Sequence, residues 1–414
     1  METRIKTDFE KCFENYSSKD ELNFKKNNLE NFIKNGFPGR KLESWKFSDL
    51  SQIINNNIGE LNFYIDPAKE NLSDKNFIIK DFDHNKIVFI NGKIEEIDFS
   101  FENNNKINIL KEVDFSEKIN DENSLINLNN AFCKNFYKII IKDNYSMNNP
   151  LVVYHLTDKD LNSTIINSQL NFVLEDNSSL KIIDIYDDKS EKNFINNSYN
   201  FELKESAILK NFKINKSQNN NIKYSYNNIN QSKDSISETF ILSNGSKFLK
   251  NEINCNLNGQ YSSAFINGVF SLNSDKHHEI RTSVNHLVEN TKSYQLIKSV
   301  LDDKSKSVYQ GKIYVSPDAQ KTDGYQLSKC ILLDKNTEFN AKPELEIYAD
   351  DVKCSHGSAS GSLNENSIFY LRSRGLNYKQ AKNLLISGFF LDVIEKITDE
   401  EIKNFIKKNM ELNS

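Results

Sequence analysis

A cysteine and a histidine, Cys354 and His356, stand two residues apart at the end of a segment that alternates like a β-strand. Side chains two positions apart on a strand point to the same face. A thiolate and an imidazole on one face are ligands of the kind that bind soft metal ions. Gly357 follows directly and leaves room for another group to approach closely. Two ligands do not complete an iron–sulfur or zinc site, so the others must come from elsewhere in the chain or from a partner.

The same strand face has a second interpretation. Cysteine is among the residue types most often buried, so Val352, Cys354 and His356 can also point into the protein core. The residues alone leave both interpretations open, one a metal half-site and the other a core strand.

Other residues that carry chemistry give weaker patterns. Adjacent residues of a strand face opposite ways, so His277 and His278 cannot both chelate from regular structure, and we interpret residues 277–279 as a polar turn. The chain has no GxxxxGK[ST] loop, which means that any nucleotide hydrolysis linked to it belongs to another chain. GxSxG and HExxH motifs are absent as well.

The C-terminal region holds candidate partner contacts. Tyr370, Arg372 and Arg374 lie next to the start of a helical pattern, where the arginines are either solvated or bind carboxylates of a partner. Gly388 and Phe389 fall within that pattern, on a face predicted to run from residue 381 to residue 392. Gly388 would let another backbone approach closely, although the same face can simply pack onto the rest of the chain.

The elements that position these residues fall into four regions. Residues 1–55 read as helical, with a capping box at Ser18 and a helix end at Gly36. Residues 56–133 are mixed, and residues 134–374 carry short strands without intervening helices. Residues 375–414 return to helix, with capping boxes beginning at Asn377 and Thr398.

The strand-rich region fits three architectures: a sandwich, a propeller and a solenoid. Its turn signals fall near polar residues at irregular spacing, namely Asp176, Glu205, Asn244, Asn258, Asn290, Asp303, Asn336 and Asn364. Small polar residues at these corners, together with few prolines, favour a β-helix.

Composition excludes several classes of function. The net charge is −5 and the pI about 5.8, without the basic stripe expected of a nucleic-acid-binding protein. No apolar run approaches the roughly 20 residues of a membrane helix, and the charged N-terminus predicts no secretory signal. The five cysteines are scattered without CxxC spacing, which favours a reducing, cytoplasmic compartment.

Several segments together resemble the SufB/SufD family of iron–sulfur cluster assembly proteins. The strongest matches are Gln320–Gly324, Asn340–Gly357 and Phe369–Gly375, and weaker ones cover Gly36–Arg40 and Glu43–Leu50. The stretch around the cysteine and histidine follows the SufD branch, because the SufB branch keeps a glutamate beside the histidine. The middle of the chain is matched by pattern only.

The resemblance implies a mainly β fold, a right-handed parallel β-helix flanked by N-terminal and C-terminal helical regions. It further implies a non-catalytic scaffold subunit of the SUF complex that pairs with a SufB-like paralogue and binds a SufC-like ATPase through its C-terminal part. His356 would face the paralogue and help to hold a nascent iron–sulfur cluster, with Cys354 as the weaker ligand. Reduced flavin occurs in some such complexes, but no residue here indicates a flavin site.

Two alternatives remain from the sequence. One is a homodimeric scaffold of the same family, pairing with itself where no SufB-like protein is present. The other is a β-helix enzyme that acts on polysaccharide. Such enzymes are usually secreted, and the expected absence of a secretion signal argues against this second alternative.

Overall fold

Two long, mostly parallel β-sheets form the body of the protein and wind around a shared interior. The structure is a computed structural model that describes residues 2–12, 18–65, 77–111 and 123–410. Strands of the two sheets alternate along the chain, so each pair of consecutive strands makes one coil of a parallel β-solenoid. The predicted parallel β-helix with flanking helices is therefore confirmed.

One sheet is ordered β19-β17-β15-β13-β11-β9-β7-β5-β1-β2. Its strands are β1 (Asn85–Ile90), β2 (Lys93–Asp98), β5 (Leu151–Thr157), β7 (Ser179–Asp188), β9 (Ile208–Asn215), β11 (Ile236–Ser243), β13 (Ser263–Leu272), β15 (Lys292–Leu301), β17 (Asp323–Leu332) and β19 (Lys353–Gly361).

The other sheet is ordered β18-β16-β14-β12-β10-β8-β6-β4-β3. Its strands are β3 (Ile107–Leu110), β4 (Lys138–Ile141), β6 (Ile165–Leu174), β8 (Phe194–Leu203), β10 (Ile222–Gln231), β12 (Phe248–Leu257), β14 (His277–His286), β16 (Lys306–Val315) and β18 (Glu338–Ile347).

The described helices flank this solenoid. They are α1 (Glu2–Lys11), α2 (Lys19–Asn35), α3 (Leu50–Asn57), α4 (Ser124–Phe132), α5 (Glu365–Ser373), α6 (Tyr378–Ile394) and α7 (Glu400–Asn409).

The strands stack around a largely apolar interior, which alternate side chains of each strand form by pointing inward. These inward residues of successive coils form one continuous core, which includes Phe172, Phe201, Ile229 and Ile253. Parallel strands buried on both faces are expected when other elements cover the outer faces, and helices do so here. Burial of this stack supplies the main stabilisation of the fold.

Asparagine and aspartate occupy several corners of the coils where the backbone is left-handed. Asn177, Asp234, Asn290 and Asp303 adopt φ values of 56°, 57°, 61° and 59°, each just before a strand. Asparagine and aspartate accept this conformation more readily than other residues with a side chain. The predicted turns near residues 176, 290 and 303 thus coincide with corners of the solenoid.

The N-terminal helices cover the outer face of the sheet that contains β12. Ser18 caps α2 by accepting from the backbone N–H of Glu21, and α2 ends at Gly36, as predicted. Trp45, the only tryptophan, stacks on Phe248 with a ring separation of 6.4 Å. These contacts fix the N-terminal region against the middle coils.

The C-terminal helices cover the outer face of the other sheet. Lys298 of β15 reaches α6, where its Nζ lies 2.6 Å from Asp392 and donates to the carbonyl of Phe389 at 2.7 Å. The reciprocal capping box of Asn377 and Gln380 begins α6 as predicted. These contacts tie α6 to the solenoid.

The last helix begins one residue later than predicted. The N-cap of α7 is Asp399, not Thr398. Asp399 accepts from the N–H of Ile402 and pairs with Lys181 at 2.5 Å, whereas the hydroxyl of Thr398 accepts from Lys210. The Asp399 carboxylate thus accepts from both the first turn of α7 and a lysine of the sheet, whereas the Thr398 hydroxyl does not bind the helix.

Candidate functional site

The two ends of the solenoid differ. At the N-terminal end, the antiparallel strands β2 and β3 close the two sheets. At the other end, the sheets finish on β19 and β18, and no further strand pairs with either among the described residues. The last coil therefore presents two strand edges with unpaired backbone groups, a feature that folded proteins usually cover or use for pairing.

Cys354 and His356 lie on β19 of this last coil and face the same way. In the register of β17 and β19, Cys354 pairs with Gly324 and His356 with Gln326. Gln326 is fully buried inside the solenoid, so the face that carries Cys354 and His356 continues the interior of the coils. No coil follows, and this face meets the open end.

The two side chains differ in exposure. Cys354 is half-buried against a small apolar cluster that includes Ile313, Val315 and Ala319, whereas His356 is exposed. Burial raises the pKa of the Cys354 thiol, and the N–H of Gly324 offsets this only in part. This face is thus part of the core at Cys354 and open at His356, and the metal half-site stays a prediction.

A polar layer lies beneath His356. The Oε1 atom of Gln326 accepts from the hydroxyl of Tyr309 at 3.0 Å, and its Nε2 donates to the carbonyl of Glu344 at 3.3 Å. Gly311 makes this contact possible, because a Cβ there would lie 2.2 Å from both the Gln326 Oε1 and the Tyr309 hydroxyl. These hydrogen bonds fix the side chain of Gln326, which is the register partner of His356 in the neighbouring strand.

The site is incomplete as a metal centre. Across the described parts of the chain, no group of three or more histidine, cysteine, aspartate and glutamate side chains is placed to hold a metal ion. Cys354 and His356 are donors suited to iron or to a cluster, but they supply two ligands only. A metal ion bound here would need further ligands from outside the described residues.

The other histidines take structural positions. Residues 277 and 278 begin β14 and do not form the predicted turn, although they do face opposite ways. His278 is buried between Ser243 and the carbonyl of Ser246, and burial lowers its pKa to about 3. His286 is buried as well, hydrogen-bonded to the hydroxyls of Thr291 and Ser293.

The predicted partner contacts Tyr370 and Arg372 lie on α5, a helix that the sequence pattern did not indicate. Tyr370 is exposed, and the guanidinium of Arg374 lies 5.2 Å from its ring centre. Within the described residues, neither Arg372 nor Arg374 forms an ion pair. The arginines are thus available for carboxylates of another molecule.

The predicted apolar face of α6 is in fact divided. Leu384, Gly388 and Leu391 form an exposed stripe at helical spacing, and a Cβ at Gly388 would meet nothing within 4 Å. Phe389 instead turns toward the sheet, where Lys298 lies 4.5 Å from its ring centre. Gly388 therefore belongs to a free surface, and Phe389 belongs to the contact with the solenoid.

The sequence placed Leu384 on the face of Gly388 and Leu391 beside it, but it did not predict that these leucines and Phe369 are exposed. The i, i+4, i+7 spacing of Leu384, Gly388 and Leu391 was a usable signal, but a second apolar face on the same helix obscured it. No hydrogen bond or ion pair of the described residues links this surface to Cys354 or His356.

None of the described helices combines the length and the apolar character needed to cross a bilayer.

Comparison with known proteins agrees with this architecture. Residues 155–389 match the family model described as the SufBD core domain of SUF-system iron–sulfur cluster assembly. The iron–sulfur cluster assembly protein SufD of Escherichia coli is 26% identical over 393 residues, covering 91% of this chain and 89% of that protein.

Shorter matches extend to photosynthetic organisms. An iron–sulfur cluster assembly SufBD family protein of Synechocystis is 37% identical over 124 residues, which are 30% of this chain and 26% of that protein. The chloroplastic protein ABCI7 of Arabidopsis thaliana is 37% identical over 113 residues, which are 27% of this chain and 24% of that protein.

The fold defines the class first: a parallel β-solenoid whose last coil leaves two strand edges unpaired among the described residues. The family match covers more than half of the chain, and this chain belongs to the SufBD family of iron–sulfur cluster assembly proteins. Its similarity to SufD over nearly the whole length makes it a SufD-like member.

Proposed function

We propose that this chain is the SufD-type, non-catalytic scaffold subunit of a SUF assembly complex in the cytoplasm. Its last coil pairs with a SufB-like paralogue, and its C-terminal helices bind a SufC-like ATPase. The observation that carries the proposal is the open last coil: β18 and β19 have unpaired edges, and β19 carries Cys354 and His356.

Pairing with a paralogue suits these edges. A strand edge presents a row of unpaired N–H and C=O groups, and a second solenoid of similar coil dimensions offers the complementary row. Such pairing would cover the half-buried thiol of Cys354 and the exposed imidazole of His356. The shared interface then provides the ligands that this chain lacks.

The nascent iron–sulfur cluster is the cargo of this interface. His356, which is exposed, is the ligand positioned to reach a cluster shared with the paralogue. The raised pKa of Cys354 disfavours its thiolate, so Cys354 becomes a ligand only when a bound cation favours loss of the thiol proton. Reduced flavin stays an expectation of the family resemblance, without a residue of this chain attached to it.

Binding of an ATPase by α5 and α6 rests on their exposed surface. Phe369 and Leu384 are 73% and 52% exposed, and Arg372 and Arg374 lie on the same helical region. Exposed apolar residues with charged residues around them are typical of a protein interface. The chain contains no phosphate-binding loop of its own, so the nucleotide chemistry would come from this partner.

The proposal is tested by anaerobic co-expression with the SufB-like and SufC-like proteins of the same organism. Native mass spectrometry of the material that co-purifies with this chain gives the composition. A complex of this chain with one paralogue and two ATPases supports the proposal. Recovery of this chain alone contradicts it.

A homodimeric scaffold is the second candidate, because the same open edges are available to another copy of this chain. The mass of the purified species separates the two cases. Two copies of this chain without the paralogue would favour the homodimer. The polysaccharide-active alternative loses its basis, since the chain belongs to an iron–sulfur cluster assembly family.

A further inference from the structure

A cavity of about 480 Å³ lies on the outer face of the sheet that contains β13, next to the connection between α6 and α7. The lining residues used below are Glu238, Phe265, Asn267, Tyr294, Tyr325 and Lys396. The volume is within the range of binding sites for small molecules. Among the described residues, neither β19 nor the exposed stripe of α6 lines the cavity, so it does not belong to either proposed partner contact.

Three aromatic residues on neighbouring strands form one wall of the cavity. This aromatic row consists of Phe265, Tyr294 and Tyr325, which are register partners in β13, β15 and β17. The rings of Phe265 and Tyr294 are stacked, with centres 6.1 Å apart, and the centres of Tyr294 and Tyr325 lie 6.2 Å apart. Tyr294 is 40% exposed. The aromatic row therefore offers a surface on which a flat heterocyclic ring can stack.

A single asparagine interrupts the apolar residues beside the aromatic row. Asn267 pairs with Phe240 on one side and with Leu296 on the other, and all three line the cavity. The amide of Asn267 is half-buried and forms no hydrogen bond within the described residues. An amide presents a donor and an acceptor side by side, and the amino group and a neighbouring ring nitrogen of adenine complement them. Asn267 is therefore placed to bind the edge of a base that stacks on the aromatic row.

The charged groups of the cavity suit the rest of a nucleotide. Lys396, in the connection between α6 and α7, is exposed and pairs with no carboxylate of the described residues. Glu238 lies 3.8 Å from Lys210, which also donates to the hydroxyl of Thr398 at 2.6 Å. Because Lys210 balances the charge of Glu238, the ammonium of Lys396 is left to attract a phosphate. Glu238 can still accept from ribose hydroxyls, as carboxylates do in dinucleotide-binding sites.

We propose that this cavity binds an adenine mononucleotide. The base stacks on the aromatic row, and its amino edge binds the amide of Asn267. The ribose lies near Glu238, and the phosphate lies near Lys396. This site is additional to the scaffold function. The chain has no phosphate-binding loop, so the nucleotide is bound here without hydrolysis.

Calorimetric titration of adenosine monophosphate into the purified full-length chain tests the proposal, and we expect saturable binding. Purine riboside monophosphate, which lacks only the amino group of the base, should bind at least about fivefold more weakly, because half of the contact with Asn267 is lost. Asn267→Leu keeps the size of the side chain and removes the amide. This variant should bind the two nucleotides with equal affinity, a result that a purely structural role of Asn267 would not produce.

A pair of lysine variants tests the phosphate contact. Lys396→Gln should weaken the binding of adenosine monophosphate about threefold. The matched control is Lys329→Gln, at an exposed lysine of β17 that does not line the cavity, and it should bind like the natural chain. Absence of saturable binding up to about 1 mM, equal affinity of the natural chain for the two nucleotides, or unchanged affinity of Lys396→Gln would each overturn the proposal.

Discussion

His356 pairs directly with Gln326 in the register of β19 and β17, yet Gln326 is completely buried and His356 is exposed. The difference arises because a further strand covers Gln326 and none covers His356. An interior position of a repeating coil has thus become a surface position where the repeat stops. The most informative side chain of the chain lies at that boundary.

Replacement of His356 by alanine should lower cluster assembly without unfolding the protein. The side chain is exposed, so the free energy of unfolding should change by no more than about 0.5 kcal/mol. The activity of a cluster-dependent enzyme, measured in cells that rely on this chain, reports the effect. Ser355→Ala, on the other face of the same strand, is the control and should have no effect. Unchanged activity with His356→Ala would remove this residue from the site.

The exposed stripe of α6 should be needed for binding of the ATPase. The double variant Leu384→Glu, Leu391→Glu places charges in a surface that we expect to become apolar and dry on binding. Affinity, measured by calorimetry with the purified ATPase, should fall at least about tenfold. Leu42→Glu, at an exposed leucine of the N-terminal region, is the matched control. Equal affinities of all three proteins would place the ATPase elsewhere.

Deletion of the residues after Gly375 should also abolish ATPase binding, but this test is less specific. The deletion removes α6 and α7, whose Phe390, Ile394 and Phe405 cover the sheet. Loss of binding would therefore not distinguish loss of the ATPase site from damage caused by exposing the apolar outer face of the sheet. Only retained binding by the truncated chain, checked on a sizing column, is decisive, and it would contradict the assignment.

Lys298 should stabilise the attachment of α6. Its side chain is 7% exposed and binds both Asp392 and the carbonyl of Phe389. Lys298→Met keeps the length of the side chain but loses the charge, which should lower the free energy of unfolding by about 2 kcal/mol in urea. Lys233→Met, which removes an exposed and solvent-screened pair with Glu205, should have a clearly smaller effect. Equal costs would mean that Lys298 does not anchor the helix.

Stability should fall as the pH drops below about 6.5, because of the buried histidines. Burial lowers the pKa of His278 to about 3 and that of His286 to about 4 from an ordinary value of 6.5. Between those values the unfolded chain binds protons that the folded chain does not. The stabilisation is therefore complete above pH 6.5 and is lost as the pH falls toward 4.

Each histidine contributes a slope of up to about 1.4 kcal/mol per pH unit in this range. Urea unfolding at several pH values measures the slope, and His286→Gln should reduce it. His356→Ala, at an exposed position, serves as the control and should leave most of the slope in place. A slope unaffected by His286→Gln would show that this residue is protonated in the folded protein.

Local sequence signals predicted those parts of the fold that depend on local chemistry. Ser18, Gly36 and Asn377 cap helices as their types predict, and Asn290 and Asp303 form corners because they accept positive φ. Such signals favoured a solenoid but did not exclude a sandwich or a propeller. The choice among them depends on which strands pair, and those pairs are 26 residues apart at Ile222 and Phe248 and 32 apart at Lys306 and Glu338.

The site was predicted in part, for a related reason. Alternation placed Cys354 and His356 on one face, but whether that face is covered depends on the end of the solenoid, which no local pattern marks. The sequence likewise did not show that α6 has one exposed and one buried apolar face. Leu384 and Phe390 are equally apolar, and only packing shows which one is covered. The N-cap at Asp399 rather than Thr398 follows from the position of Lys181 in a distant strand.

The most direct test of the central claim is hydrogen–deuterium exchange of this chain with and without the SufB-like paralogue. We expect slower exchange in β18 (Glu338–Ile347) and β19 (Lys353–Gly361) when the paralogue is present, because their free backbone groups become paired. Exchange that is unchanged in both strands, with protection confined to other parts of the chain, would contradict pairing through the last coil.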